Sequence, residues 1–196
     1  MTDTNKQINK TISDWLGDIV AVESHVEEAL DHQLKLQATS SILTTAIRQF
    51  HDTVRDSKRR AEAYQQQYGS TAGNPVIKVG SELLGKAAGL IDRIRADSVA
   101  KALRDDYTAF NHVAIAYTML HTTAMAMADS ATQSFAEQGL RTYAGMVQQL
   151  NHVIPEAVVY DLENNGDEPV VNPNVVEECR STIDGIWKST SGNPGA

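Results

Sequence analysis

The sequence predicts an all-α protein: an up-down four-helix bundle with one long crossover and a C-terminal tail helix. Three observations predict it. Four long stretches repeat apolar residues about every 3.5 to 3.6 positions, no stretch alternates as a strand does, and the longest break falls between the second and third stretches. We expect residues 1–160 to form the bundle, and residues 161–196 to form a polar linker and a short amphipathic helix.

The first half of the bundle is predicted from two apolar stripes. The first helix is expected over residues 13–37, with Thr11 or Ser13 as its N-cap, and the second over residues 40–67. Glycine and proline residues then interrupt the pattern. A short helix in "SELLGKAAGLIDRIRA" is expected within the crossover.

The second half is predicted as a pair of helices joined by a tight turn. The third helix is expected over residues 98–127 and the fourth over residues 131–153, which Pro155 ends or bends. Asp129 or Ser130 is the expected N-cap of the fourth helix. The apolar arc of that helix is wider than one bundle face needs, so it predicts either deep burial or a homodimer surface. Leu140, Tyr143 and Val147 are the candidate interaction residues of such a surface.

Composition excludes several classes of function. The net charge of −8 and the pI near 5.2 argue against nucleic-acid binding, which needs a basic face. A single cysteine, Cys179, excludes an intrachain disulfide and a four-cysteine zinc site. No apolar run reaches the roughly 18 residues of a membrane span, and the polar N-terminus lacks the core of a signal peptide. The expectation is therefore a cytoplasmic protein.

Two segments carry a resemblance to a known family. "DIVAVESHVEEAL" and "GLIDRIRADSVAKALRDDYTAFNHVAIAYTMLHTTAMAMAD" resemble the first and third helices of the ferritin-like YciE/YciF family of bacterial proteins, and "FHDTVRDSKRRAEAY" resembles its second helix more loosely. The resemblance covers residues 10–160. It implies a ferritin-like bundle, a homodimer, an association with stress responses and, in some members, a two-metal carboxylate site.

The ligand positions that the resemblance implies are mostly lost. A two-metal site of this kind takes a glutamate from each of two helices and a Glu-x-x-His pair from each of the other two. Glu23 keeps its carboxylate, and the position on the second helix falls on His51 or Asp52. The positions on the third helix fall on Phe110 and Val113, which bind no cation, and the fourth helix has no Glu-x-x-His. The resemblance therefore predicts a bundle centre that is packed, with no resident cofactor.

Inward polar residues leave an alternative open. A non-family site for iron or manganese could be formed by five residues: Glu23, His51, Asp106, His121 and Gln149. The competing explanation is ordinary hydrogen bonding between helices or at the bundle ends. Glu23 by itself is expected to be an edge carboxylate or a structural hydrogen-bonding group.

Three functions follow as hypotheses. The leading one is a non-catalytic ferritin-like scaffold that acts as a homodimer. The second is a di-iron or di-manganese protein with oxidase or peroxide-detoxifying activity, and here the chain would be an enzyme. The third is a partner-docking module that uses the C-terminal helix, with Ile183, Ile186 and Trp187 as anchors. A fold-back of that helix onto its own bundle is the structural alternative to docking.

Overall fold

The computed structural model describes residues 3–35, 40–68, 98–164 and 172–191. These residues are almost entirely helical and contain no strand, which confirms the all-α prediction. The helices are α1 Asp3–Lys35, α2 Ser41–Gln67, α3 Val99–Ala126, α4 Ser130–Asn164 and α5 Val175–Ser191. The short helix expected in the crossover falls at positions outside the described residues.

Contacts between α2 and α3 establish the topology. The rings of Phe50 and Phe110 lie 5.4 Å apart, and a bond from Tyr68 to Asp129 joins the other ends of the same two helices. The helices α2 and α3 therefore run parallel, whereas α1 runs antiparallel to both. Two parallel helices that follow one another in the chain need a connection that returns along the bundle, and the sequence predicts such a crossover from the break after residue 68.

The core follows the heptad spacing of each helix. Along α1 the buried positions are three or four residues apart: Ile12, Leu16, Ile19, Glu23, Val26, Leu30 and Gln33. This stripe places two polar side chains, Glu23 and Gln33, among apolar ones. Polar groups in such positions must find partners inside the bundle, because water does not reach them.

Two predicted helix boundaries are wrong. The helix α1 begins at Asp3 and not near residue 13, so the expected N-caps Thr11 and Ser13 lie within it, beside the fully buried Ile12. The helix α4 continues through Pro155 to Asn164. Beyond the proline, Ala157 is fully buried and Tyr160 packs against the core, which offsets the backbone hydrogen bond that Pro155 cannot make.

Aspartates hold both ends of the α3–α4 pair. Asp161, near the end of α4, accepts hydrogen bonds from the backbone N–H groups of Val99 and Ala100, at 3.1 and 3.0 Å, and thereby caps α3 from another helix. At the opposite end Asp129 accepts from the N–H group of Thr132, which confirms it as the N-cap of α4. Ala128 makes the tight turn between the two helices with a left-handed φ of 56°.

The helix α5 lies against α4 through polar contacts. Arg180 donates to the backbone carbonyl of His152 at 2.8 Å, and the imidazole of His152 lies 2.9 Å from Asp184. None of the described side chains of α5 is buried. The expected amphipathic tail helix is therefore present and folds back, but it adds nothing to the apolar core.

Candidate functional site: a buried polar cluster

Each of the four bundle helices contributes one residue to a polar cluster at the bundle centre. We call this the central cluster: Glu23 of α1, Ser57 of α2, Tyr117 of α3 and Tyr143 of α4. Both tyrosine hydroxyls donate to the same carboxylate oxygen, Glu23 Oε1, at 3.1 Å for Tyr117 and 3.0 Å for Tyr143. The hydroxyl of Ser57 lies 3.2 Å from that of Tyr117. Because Tyr117 has one hydrogen and gives it to Glu23, Ser57 is the donor in that contact.

Burial dominates the electrostatics of Glu23. The side chain is fully buried, and loss of hydration raises its pKa to about 7, although the surrounding hydroxyls and the charge of Arg60 oppose the rise. The carboxylate in turn raises the pKa of both tyrosines, which burial has already raised, so both stay protonated donors. Glu23 Oε2 has no hydrogen-bond partner among the described residues. Within the described residues, only one of the two carboxylate oxygens of Glu23 therefore accepts hydrogen bonds.

A glycine gives Tyr117 its room. A Cβ atom built on Gly139 of α4 would lie 2.3 Å from Cε1 of Tyr117, far inside van der Waals contact. The rings of Tyr117 and Tyr143 stack with centroids 5.9 Å apart. Gly139 therefore fixes where the ring of Tyr117 lies, and through it where the hydroxyl meets Glu23.

A second buried acid pairs with an amide. Asp106 of α3 accepts a hydrogen bond from Nε2 of Gln33 on α1 at 2.9 Å, and both side chains are buried. Burial raises the pKa of Asp106 to about 7, the bond from Gln33 lowers it, and the neighbouring charge of Asp105 raises it. The other two oxygens of the pair, Asp106 Oδ2 and Gln33 Oε1, have no partner among the described residues. The pair is completely satisfied only when Oδ2 carries a proton that Oε1 accepts.

Comparison with known families places the chain. The model of the family described as "Domain of unknown function (DUF892)" matches residues 7–163. The chain belongs to this family. DUF892 is related to the ferritin-like superfamily. No curated protein and no solved structure shows a significant match to the chain.

The predicted alternative metal ligands do not converge in this DUF892 protein. Glu23 lies in the central cluster and Asp106 pairs with Gln33. His51 lies between α1 and α2 with its nitrogens 3.3 Å from Asp31 and 3.5 Å from Asp52. The remaining two predicted ligands are not in either group: His121 is half-buried, and Gln149 is exposed where it was expected to point inward. Within the described ranges no three residues among His, Cys, Asp and Glu are grouped for a metal ion.

The donor set therefore does not fit the two-metal site of ferritin-like proteins. Two cations need several carboxylates in the bundle centre, and the one found in the central cluster is Glu23. Phe110 and Val113 of α3, which have no donor atom for a cation, are fully buried. The geometry supports a structural role for the cluster: one carboxylate oxygen joins α1, α3 and α4, and Ser57 joins α2 to them through Tyr117.

The predicted interaction residues divide into two groups. Tyr143 is fully buried and bonded to Glu23, so its placement on a dimer surface was wrong. Leu140 and Val147 are half-buried and pack against the core. On α5, Ile183 is half-buried, whereas the last two predicted anchors are about half exposed: Ile186 at 56% and Trp187 at 51%.

Across the described helices, none is long and apolar enough to cross a membrane.

Sequence reasoning missed Gln33, Ser57 and the inward bonding role of Tyr143. A usable signal was present, because Glu23 and Gln33 fall on the same three-and-four spacing as the buried apolar residues of α1. Trp15 and Val22, apolar residues beside that spacing, are only half-buried. Reading the heptad through its polar positions would have placed Glu23 inside the core.

Proposed function

We propose that this chain is a non-catalytic ferritin-like scaffold that acts by associating with protein, first with a second copy of itself. The observation that carries the proposal is the central cluster. A carboxylate that accepts from two tyrosines, beside the packed rings of Phe110 and Tyr143, joins helices as a structural hydrogen-bonding group does. On the resemblance to the YciE/YciF family we also propose a stress-related role in the cytoplasm.

Loss of the metal site supports the non-catalytic part of the proposal. The resemblance assigns ligand positions to α3 that hold Phe110 and Val113, and neither side chain has a donor atom. The interior of the bundle gains apolar burial there, worth roughly 1.5–3 kcal/mol for each large side chain. The burial of these two apolar side chains supports a bundle centre that is packed without a metal site.

Elemental analysis of the purified protein tests this proposal. Protein produced with iron and manganese in the medium is measured after gel filtration, beside a Glu23→Gln variant that keeps the Oε1 acceptor for both tyrosines. We expect far less than one metal ion per chain in both proteins, and no turnover of hydrogen peroxide. Stoichiometric metal in the natural protein that is lost in Glu23→Gln would overturn the proposal and favour the di-metal enzyme.

A second candidate function is partner docking through α5. It is favoured by the exposed anchors Ile186 and Trp187 and by the polar character of the contact between α5 and α4. A helix needed for folding would bury apolar side chains, and no described residue of α5 is buried.

Deleting residues 170–196 separates docking from a fold-back that stabilises the bundle. An unchanged midpoint of thermal unfolding supports docking, because the helix then contributes nothing to the bundle. A clear loss of thermal stability supports the fold-back role. The Arg180→Ala variant is the milder companion, since it removes the donor to the carbonyl of His152 and leaves the rest of α5 in place.

A further inference from the structure

The outer side of α3 differs from every other stretch of the sequence in charge. Residues 107–128 contain no aspartate, glutamate, lysine or arginine, in a chain with a net charge of −8. It is the longest such stretch in the sequence. A solvent-facing helix normally carries charged residues on the face away from the core.

Exposed apolar side chains fill this uncharged side. Ile115 is 60% exposed, Met119 43% and Met125 58%. Thr122 and Ala126 are also exposed and continue the spacing of Ile115 and Met119 at three- and four-residue steps. We call these five residues the outer face of α3. They lie opposite the buried stripe of the same helix, which holds Phe110, Val113, Tyr117, Leu120 and Ala124.

From this face we infer that a second copy of the chain packs on α3. The inference rests on the proposed function, because the scaffold is proposed to act first through a second copy. Two copies that each carry −8 repel one another wherever carboxylates face carboxylates. They can approach without that cost where both surfaces are uncharged, and the outer face of α3 is such a surface on both copies.

The character of the side chains favours a self-complementary contact. In a two-fold dimer the same patch serves both partners, so an apolar patch without charge needs no complementary charge on another protein. The uncharged part of α3, residues 107–126, is about 30 Å long at 1.5 Å per residue, the scale of a helix pair between subunits. Thr122 and Ala126 are small, so they allow the two helices to approach closely, while methionine side chains fill irregular gaps.

Charge insertion on this face tests the inference. The variants Ile115→Glu and Met119→Glu are compared with the natural protein by size-exclusion chromatography with light scattering. The matched control is Ile42→Glu, which places the same charge at a residue of similar exposure, 57%, near the start of α2. We expect the natural protein and Ile42→Glu to have twice the chain mass of 21.4 kDa, and both α3 variants to have the mass of one chain. Far-UV circular dichroism is expected to show the same helix content in all four.

Three other outcomes would overturn the inference. Dimeric α3 variants beside a dimeric natural protein would place the interface elsewhere and leave the proposed scaffold intact. Dissociation by Ile42→Glu as well would show that any added charge has this effect. A monomeric natural protein, with thermal stability lost in Ile115→Glu, would mean that a segment of the same chain covers the face, and it would also remove self-association from the proposed function.

Discussion

At the scale of single residues, Glu23 determines what the bundle centre can do. The same carboxylate would be a metal ligand if the other helices supplied acids, but here they supply Tyr117, Tyr143 and Ser57. A hydrogen bond contributes roughly 0.5–1.5 kcal/mol, and each of these bonds joins two different helices. The cluster therefore sets the register of the helices, because sliding one helix by a turn would leave Glu23 buried without donors.

The space around Tyr117 leads to a prediction of opposite effects for two glycines of α4. Gly139→Ala is expected to destabilise the protein by about 1–3 kcal/mol, because the new methyl group displaces the ring of Tyr117 and weakens its bond to Glu23. Gly145→Ala is expected to stabilise it by about 0.5–1 kcal/mol, since nothing lies within 4 Å of the added Cβ and alanine favours the helix. Urea unfolding measures both, and changes of the same sign would contradict the prediction.

The pair of Asp106 and Gln33 predicts a stabilising substitution. In Asp106→Asn the amide Oδ1 still accepts from Gln33, while an N–H₂ group, which is neutral at every pH, takes the place of the buried Oδ2. The natural protein must keep a proton there, and its folded-state pKa is about 7 against an ordinary 3.8. The stability that Asp106 contributes is therefore lost as pH rises toward 7, whereas the amide of the variant does not titrate.

The measurement is the free energy of unfolding of both proteins at pH 5 and pH 8. The advantage of Asp106→Asn is expected to grow by roughly 2–3 kcal/mol over this interval, at about 1.4 kcal/mol per pH unit up to pH 7. Asp56→Asn, at an exposed aspartate of α2, is the control. Its free energy of unfolding is expected to change between pH 5 and pH 8 by the same amount as that of the natural protein. If the free energy of unfolding of Asp106→Asn also changed by the same amount as that of the natural protein, Asp106 would already be ionised at pH 5, which would contradict the prediction.

At the scale of helices, α4 is longer than its sequence predicts because of what lies beyond Pro155. The last turns place Asp161 over the first turn of α3, where its carboxylate accepts from Ser98, Val99 and Ala100. The start of a helix carries unpaired N–H groups and partial positive charge, so a carboxylate there stabilises α3. The cap belongs to another helix, and no local pattern in the sequence indicates it.

Removing that cap is expected to weaken the contact between α3 and α4. Asp161→Ala leaves two backbone N–H groups without their acceptor and is expected to cost about 1–2 kcal/mol of unfolding free energy. Glu163→Ala, at an exposed residue in the same turn, is the matched control and is expected to change stability by less than about 0.5 kcal/mol. Hydrogen exchange of the α3 N-terminus localises the effect, and equal losses in both variants would contradict the assignment.

How much the sequence predicts depends on whether the deciding contact is local. The order of the helices, the turn at Asp129 and the packed positions Phe110 and Val113 follow from periodicity and neighbouring residues, and they are confirmed. The continuation of α4 past Pro155 cannot be predicted from neighbouring residues, because it depends on the tertiary contacts of Tyr160 and Asp161. The central cluster is not local either, since each of its members comes from a different helix.

At the scale of the whole molecule, the two buried acids predict an unusual dependence of stability on pH. Both folded-state pKa values are about 7, raised from ordinary values of 4.5 for Glu23 and 3.8 for Asp106. A raised folded-state pKa means that the folded state binds more protons than the unfolded state between the two values, so stability falls as pH rises through that window. Asp129 has the opposite effect: partial burial raises its pKa, but its hydrogen bonds lower it further, to a value below the ordinary 3.8. The stability that Asp129 contributes is therefore lost as pH falls through that folded-state pKa.

We therefore expect the free energy of unfolding to be greatest near pH 5 and to decrease toward pH 8, by roughly 2–3 kcal/mol for each buried acid. The double variant Glu23→Gln with Asp106→Asn removes both titrating groups while keeping the acceptors for the tyrosines and for Gln33. Its stability is expected to be nearly constant from pH 5 to pH 8, whatever its absolute level, because the amide at position 23 imposes a cost that does not depend on pH. A slope that persists in the double variant would assign the pH dependence to groups other than the two buried acids.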